Sequence, residues 1–117
     1  MPAHINLSVG DVERSLAFYR RWLGFGDIDR RFPDGTVFVR DDEGTDLALH
    51  ASAGAAGPPV GFHFGFRRSR ASDVDDLLAA LRAGGVDVIE HETGPTLSSV
   101  RFRDPDGYEV EVYWEAP

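Results

Sequence analysis

The sequence predicts an α+β fold of two tandem βαβββ modules whose strands form a concave mixed sheet. Three observations predict it: short runs of alternating apolar and polar residues bounded by turn residues, one amphipathic helical stretch in each half, and a near-constant offset between the halves. His4 and His63 stand 59 residues apart, and the helix-ending glycines Gly24 and Gly84 stand 60 apart. Module 1 is expected over about residues 1–50, a linker over about 51–59 and module 2 over about 60–115, all in one domain of 117 residues.

From His4 to Val9 the chain alternates, with Ile5, Leu7 and Val9 on one side and His4, Asn6 and Ser8 on the other, as in a half-buried strand. Asp11 is a natural helix N-cap, Glu13 suits the positive first turn, and Val12, Leu16, Tyr19 and Leu23 recur at helical spacing until Gly24 stops the helix. Extended segments are expected at about Phe25 to Phe32, Thr36 to Arg40 and Asp46 to His50, separated by the turns Pro33-Asp34-Gly35 and Asp41-Asp42-Glu43-Gly44. Ala51 to Pro59 holds only small residues, Gly and Pro, and reads as the linker. The pattern then restarts. Val60 to Phe66 is a strand, Ser72 caps a helix with Val74, Leu77, Leu78 and Leu81 inside, Gly84-Gly85 ends it, and strands follow at Val86 to Glu90, Leu97 to Arg103 and Tyr108 to Trp114. Asp104-Pro105-Asp106-Gly107 is a tight turn before the last strand, because Pro fixes φ, Asp bonds nearby backbone N–H groups and Gly accepts a positive φ. His91 is placed in a solvated turn.

Twenty acidic residues oppose twelve basic ones, all Arg, for a net charge of −8, which excludes a phosphate-backbone binder. Without Cys there is no disulfide framework, thiolate metal site or Cys nucleophile, so any metal must be held by His and carboxylate. No apolar run approaches the roughly 20 residues of a membrane span, and no basic-flanked apolar leader opens the sequence, so a soluble cytoplasmic protein is expected.

One helix per module covers one face of its strands; the other must meet solvent, a partner or a ligand. Parity lines that second face with His4 and Asn6; Thr36, Phe38 and Arg40; Ala48 and His50; Gly61, His63 and Gly65; Ser99 and Arg101; and Glu109, Glu111 and Tyr113. Two imidazoles and one carboxylate are the facial triad that binds divalent iron, manganese, nickel or zinc and leaves positions for substrate oxygen. On spacing alone, a strand histidine is more often a structural or surface residue than a ligand, and the glutamates are more often solvated strand positions.

The opening His4-Ile5-Asn6-Leu7-Ser8-Val9, with Asp11 to Tyr19 and Leu23-Gly24-Phe25, resembles the start of the vicinal oxygen chelate superfamily, which includes glyoxalase I, fosfomycin and bleomycin resistance proteins and extradiol dioxygenases. Phe102-Arg103-Asp104-Pro105-Asp106-Gly107 followed by Glu111 resembles its closing motif. The resemblance covers both modules and implies the glyoxalase/bleomycin resistance/dioxygenase fold. It implies a divalent metal ion on His4, His63 and Glu111, a small-molecule substrate, and a homodimer whose sites often draw on both chains. Glyoxalase I has a further Glu ligand where this chain offers Ala48 or His50, a departure that speaks against lactoylglutathione lyase activity. The absence of Lys, with only Arg101 and Ser99 nearby, only partly echoes the phosphonate pocket of the fosfomycin transferases.

Two functions follow. The first is a metal-dependent enzyme (lyase, isomerase, transferase or dioxygenase type) that chelates two substrate oxygens, with His50 or Glu109 moving protons and Asn6, Phe38, Ser99, Arg101 and Tyr113 contacting substrate. The second is a metal-free protein that sequesters a drug or other ligand, with Phe38, Tyr113 and Trp22 as aromatic surface and the acidic charge favouring a cation. Arg101 serves either as an anion clamp or as the ion-pair partner of Glu109 or Glu111.

Overall fold

The computed structural model describes residues 3–52 and 58–117. The chain divides into two compact units, Met1–Ala56 and Gly57–Pro117. The first contains β1 (His4–Val9), α1 (Val12–Leu23), β2 (Ile28–Arg31), β3 (Val37–Arg40) and β4 (Asp46–Ala51). The second contains β5 (His63–Arg67), α2 (Ala71–Ala83), β6 (Val88–Thr93), β7 (Leu97–Arg103) and β8 (Glu109–Glu115). The strand orders are β1-β4-β3-β2 and β5-β8-β7-β6, each with one parallel pair, β1 with β4 and β5 with β8, and the remaining pairs antiparallel. The repeat and the α+β class stand: each βαβββ module folds as its own four-stranded mixed sheet carrying one helix.

Local chemistry fixes the helix ends. Asp11 Oδ1 accepts the Arg14 N–H at 3.1 Å, and Gly24, at φ 74°, takes the left-handed conformation that ends α1. α1 presses Leu16, Tyr19 and Leu23 onto the face of β1 and β4 that carries Leu7, Val9, Leu47 and Leu49, all buried. In the second unit Val74 and Leu81 of α2 meet Val100, Phe102, Val110 and Val112. Trp22 is half-buried in the helix layer with the Arg21 guanidinium 4.3 Å over its ring, away from the strand face that carries His4.

Several boundaries move. β2 begins only at Ile28, because Phe25 is buried and Gly26 N–H bonds the Arg40 carbonyl at 2.9 Å, and a bulge separates Ile28 from Arg30. Of the linker expected over about residues 51–59, residues 53–57 lie outside the described residues, and its first residue, Ala51, belongs to β4. β5 begins at His63 because Val60 to Phe62 form a turn with Gly61 at φ 82° and Phe62 N–H on the Pro59 carbonyl. The N-cap of α2 is Arg70, not Ser72: the Arg70 side chain holds Asp73 at 2.9 Å and its carbonyl accepts the Asp73 N–H, so the first turn closes earlier. β6 runs on to Thr93, which places His91 in a strand, still exposed; the turn falls beyond it, with Gly94 N–H on the Leu97 carbonyl.

The closing turn forms as its residues dictate. Asp104 is buried and its Oδ1 accepts the N–H groups of Asp106 and Tyr108, both at 2.9 Å, while Gly107 sits at φ 88°. Asp104→Ala strands both donors and is expected to lower the unfolding free energy by about 2 kcal/mol, read from the urea midpoint. Asp104→Asn keeps an acceptor oxygen and should lose less than half of that.

Candidate functional site

In the first unit the face opposite α1 carries His4, Asn6 and Ser8 on β1. His4 and Asp46 are neighbours in the parallel register, and His4 Nδ1 lies 3.1 Å from Asp46 Oδ2. Phe38 stacks on the His4 ring, with centroids 6.1 Å apart and planes at 20°, and the Arg30 guanidinium lies 4.4 Å from the Phe38 centroid. Strand order puts Phe38, on β3, between the strands of these two partners, and Phe32 packs edge-on against it at 5.2 Å. Phe38 is therefore half-buried within this stack. Asn6 is partnered in register by the buried Ala48 and is exposed. His50 Nδ1 lies 3.1 Å from Thr36 Oγ1. The Thr36 backbone N–H, and after it the Thr36 hydroxyl and the nearby His50, hold the Asp34 carboxyl below its usual value.

In the second unit the in-register rows across β5, β8, β7 and β6 can be read directly. His63 neighbours Glu109, which neighbours Arg103. Gly65 neighbours Glu111, then Arg101, then Glu90. Arg67 neighbours Tyr113, then Ser99, then Glu92. A cavity of about 490 Å³ is lined by His63, Gly65, Glu111, Tyr113 and Ser99 together with Glu90, Glu92 and Glu115. His63, Glu111, Ser99 and Tyr113, four of the expected site residues, thus share one cavity. Glu109 lies beside them but is engaged: Arg101 Nη1 is 3.7 Å from its Oε1 and Arg103 Nη1 3.9 Å from its Oε2. Arg101 forms the ion pair, and its Nε is buried without a hydrogen-bond partner.

Among the described residues His63, Glu90, Glu92 and Glu111 have no hydrogen-bond or ion-pair partner. Neither unit by itself gathers three His, Asp or Glu side chains about a point where an ion could sit, among the described residues. Asp46, Glu90 and Glu92 were not singled out from the sequence. Asp46 shares the parity of Ala48 and His50, which could have flagged it; Glu90 closes the expected strand Val86 to Glu90, whereas Glu92 needed the longer β6.

The profile of the Glyoxalase/Bleomycin resistance protein/Dioxygenase superfamily matches residues 2–112. The chain belongs to this superfamily. A manganese-dependent 2,3-dihydroxybiphenyl 1,2-dioxygenase of Geobacillus genomosp. 3 is 31% identical over 96% of the chain and 36% of its own length. A putative lactoylglutathione lyase of Brassica oleracea var. gemmifera is 28% identical over 97% of the chain and 44% of its own length. The chain thus spans less than half of these curated relatives. A possible glyoxalase from Bacillus cereus shares the fold with a TM-score of 0.80 at 24% identity, covering 96% of both chains. No helix among the described residues is long and apolar enough to cross a membrane.

In a chain without Cys, imidazole and carboxylate are the side chains suited to a hard or borderline divalent cation. Gly65 leaves room beside one of them: a Cβ there would stand 3.1 Å from the Glu111 carbonyl oxygen and 3.6 Å from its Oε1. Alanine in a strand interior gains roughly 0.5–1 kcal/mol over glycine, but crowding a paired strand costs roughly 1–3 kcal/mol. The crowding wins here because the nearest atom is ladder backbone, which cannot shift alone. Gly65→Ala is therefore expected to be destabilising by about 1 kcal/mol in urea unfolding; an unchanged or raised midpoint would show that β8 yields freely.

Proposed function

We propose that this chain is a metal-dependent enzyme acting on a small oxygenated substrate by bidentate chelation, with His4, His63 and Glu111 as ligands of a divalent ion, and that it works as a homodimer. The observation that supports it most is that His63 and Glu111 line one cavity, both side chains without a hydrogen-bond or ion-pair partner among the described residues, with Gly65 opposite Glu111 in register and no side chain of its own there. Among iron, manganese, nickel and zinc, the manganese dependence of the dioxygenase relative favours manganese. Bound there, such an ion supplies Lewis acidity toward substrate oxygens.

The protein's own groups carry the remaining roles. Proton transfer falls to His50, with Thr36 setting the direction of its ring; Glu109 is less suited, because each of its oxygens already faces a guanidinium. Tyr113 and Ser99 offer a ring face and a hydroxyl to substrate inside the cavity, and Asn6 a carboxamide from β1. Arg101 holds Glu109, and Phe38 supports the His4 ring more than it meets substrate.

Protein purified without chelator and loaded with Mn²⁺ or Fe²⁺ is expected to hold about one equivalent of metal per chain, as a three-ligand site requires. His63→Ala and Glu111→Ala should each lose most of it. Less than about a tenth of an equivalent in the parent, unchanged in both variants, would end this reading.

A second reading draws support from one observation: Glu90, Glu92 and Glu111 line the cavity without an ion-pair partner among the described residues. A metal-free protein sequestering a cationic ligand would use the same carboxylates, with Tyr113 against the cation. Titration with an aromatic polyamine in EDTA separates the two. Binding that persists in EDTA and weakens in Glu90→Gln/Glu92→Gln favours sequestration.

A further inference from the structure

We propose that Asp46 is a positioning residue that fixes the His4 imidazole as the Nδ1–H tautomer and so presents Nε2 as the electron-pair donor of the first unit. This rests on the reading of His4 as a metal ligand. A carboxylate only accepts hydrogen bonds, so an imidazole nitrogen 3.1 Å from Asp46 Oδ2 must carry the proton. In a neutral ring the other nitrogen then holds the free pair. A ligating histidine needs that arrangement, and a carboxylate on its far nitrogen both sets ring direction and raises donor strength.

Four features mark the contact as built. His4 and Asp46 are direct neighbours in a parallel register, and the Asp46 N–H donates to the Ala3 carbonyl at 2.8 Å, which ties the two backbones together. The Asp46 side chain is 20% exposed against 55% for His4, so the acceptor is sheltered while the ring reaches outward. Asp46 Oδ1 is buried with no hydrogen bond, and Arg40 Nε stands 3.6 Å from it, an ion-pair distance that keeps the carboxylate in place without taking Oδ2. The stacked Phe38 ring limits rotation of the imidazole about its own axis.

The test reads the tautomer directly. At a pH about two units above the ordinary histidine value of about 6.5, ¹⁵N chemical shifts of the His4 ring are recorded for the parent, Asp46→Ala and Asp46→Asn. The parent is expected to show Nδ1 protonated, Asp46→Ala a move toward the Nε2–H form, and Asp46→Asn, whose amide oxygen can still accept, an intermediate pattern. Mn²⁺ affinity by calorimetry should fall about 10–100-fold in Asp46→Ala and recover partly in Asp46→Asn. An Nε2–H ring in the parent overturns the proposal even if Asp46→Ala does not fold. So does an affinity unchanged within about twofold in a folded Asp46→Ala while His4→Ala loses Mn²⁺. If His4→Ala binds Mn²⁺ as the parent does, the ligand role of His4 fails; the parent tautomer still decides, separately, whether Asp46 orients the ring.

Discussion

A single helix can cover only one face of a four-stranded sheet, and the chemistry of this chain sits on the faces left over. Strand side chains alternate, so each residue committed to the helix side is flanked by two that point away from it. Under α1 and α2 that commitment is nearly absolute, with Val9, Val39, Leu49, Val100 and Val112 fully buried. A charge placed there would need a partner it cannot find. Arginines and carboxylates are thereby driven onto the opposite faces, where register decides who meets whom.

On the second unit's open face, register leaves the arginines occupied and several carboxylates free. Arg101 faces Glu109, Arg103 is shared between Asp87 and Glu109, and Arg67 reaches the Glu115 carboxylate and carbonyl. Such half-exposed pairs contribute roughly 1 kcal/mol or less each, so they are poor evidence for stability. Their consequence is electrostatic. With the guanidiniums spent, Glu90, Glu92 and Glu111 line a cavity that also holds the His63 imidazole and the Tyr113 phenol, and its lining carries carboxylates without an arginine, which favours cations there. A resident divalent cation and a cationic ligand both answer that charge, which is why the two functional readings draw on the same residues.

What was legible in the sequence was what depends on near neighbours. Asp11, Gly24 and Asp104 act on backbone groups within a few residues, and all three do in the fold what their chemistry requires. Parity was legible too, because alternation needs no partner strand: the inner row of β8 is Glu109, Glu111 and Tyr113 as expected. Register was not. That His4 would meet Asp46, 42 positions on, depends on how two parallel strands slide past each other, and one step of slippage would have broken it. The start of α2 was missed for a related reason: Ser72 has the better cap chemistry, but the Arg70–Asp73 contact begins the turn earlier.

The two units prepare their donors differently. In the first, the His4 ring is held at its edge by Asp46 and on its face by Phe38. In the second, His63 and Glu111 stand on paired parallel strands, so their backbones are fixed while their side chains remain without partners. Immobilising a free side chain costs roughly 0.5–1.5 kcal/mol, a cost already met for His4 and still outstanding for the other two. A ligand on the first unit's face would meet His4 already ordered, whereas one in the second unit's cavity would order His63 and Glu111 as it binds. Gly65, in register with Glu111, brings no side chain of its own to that part of the cavity.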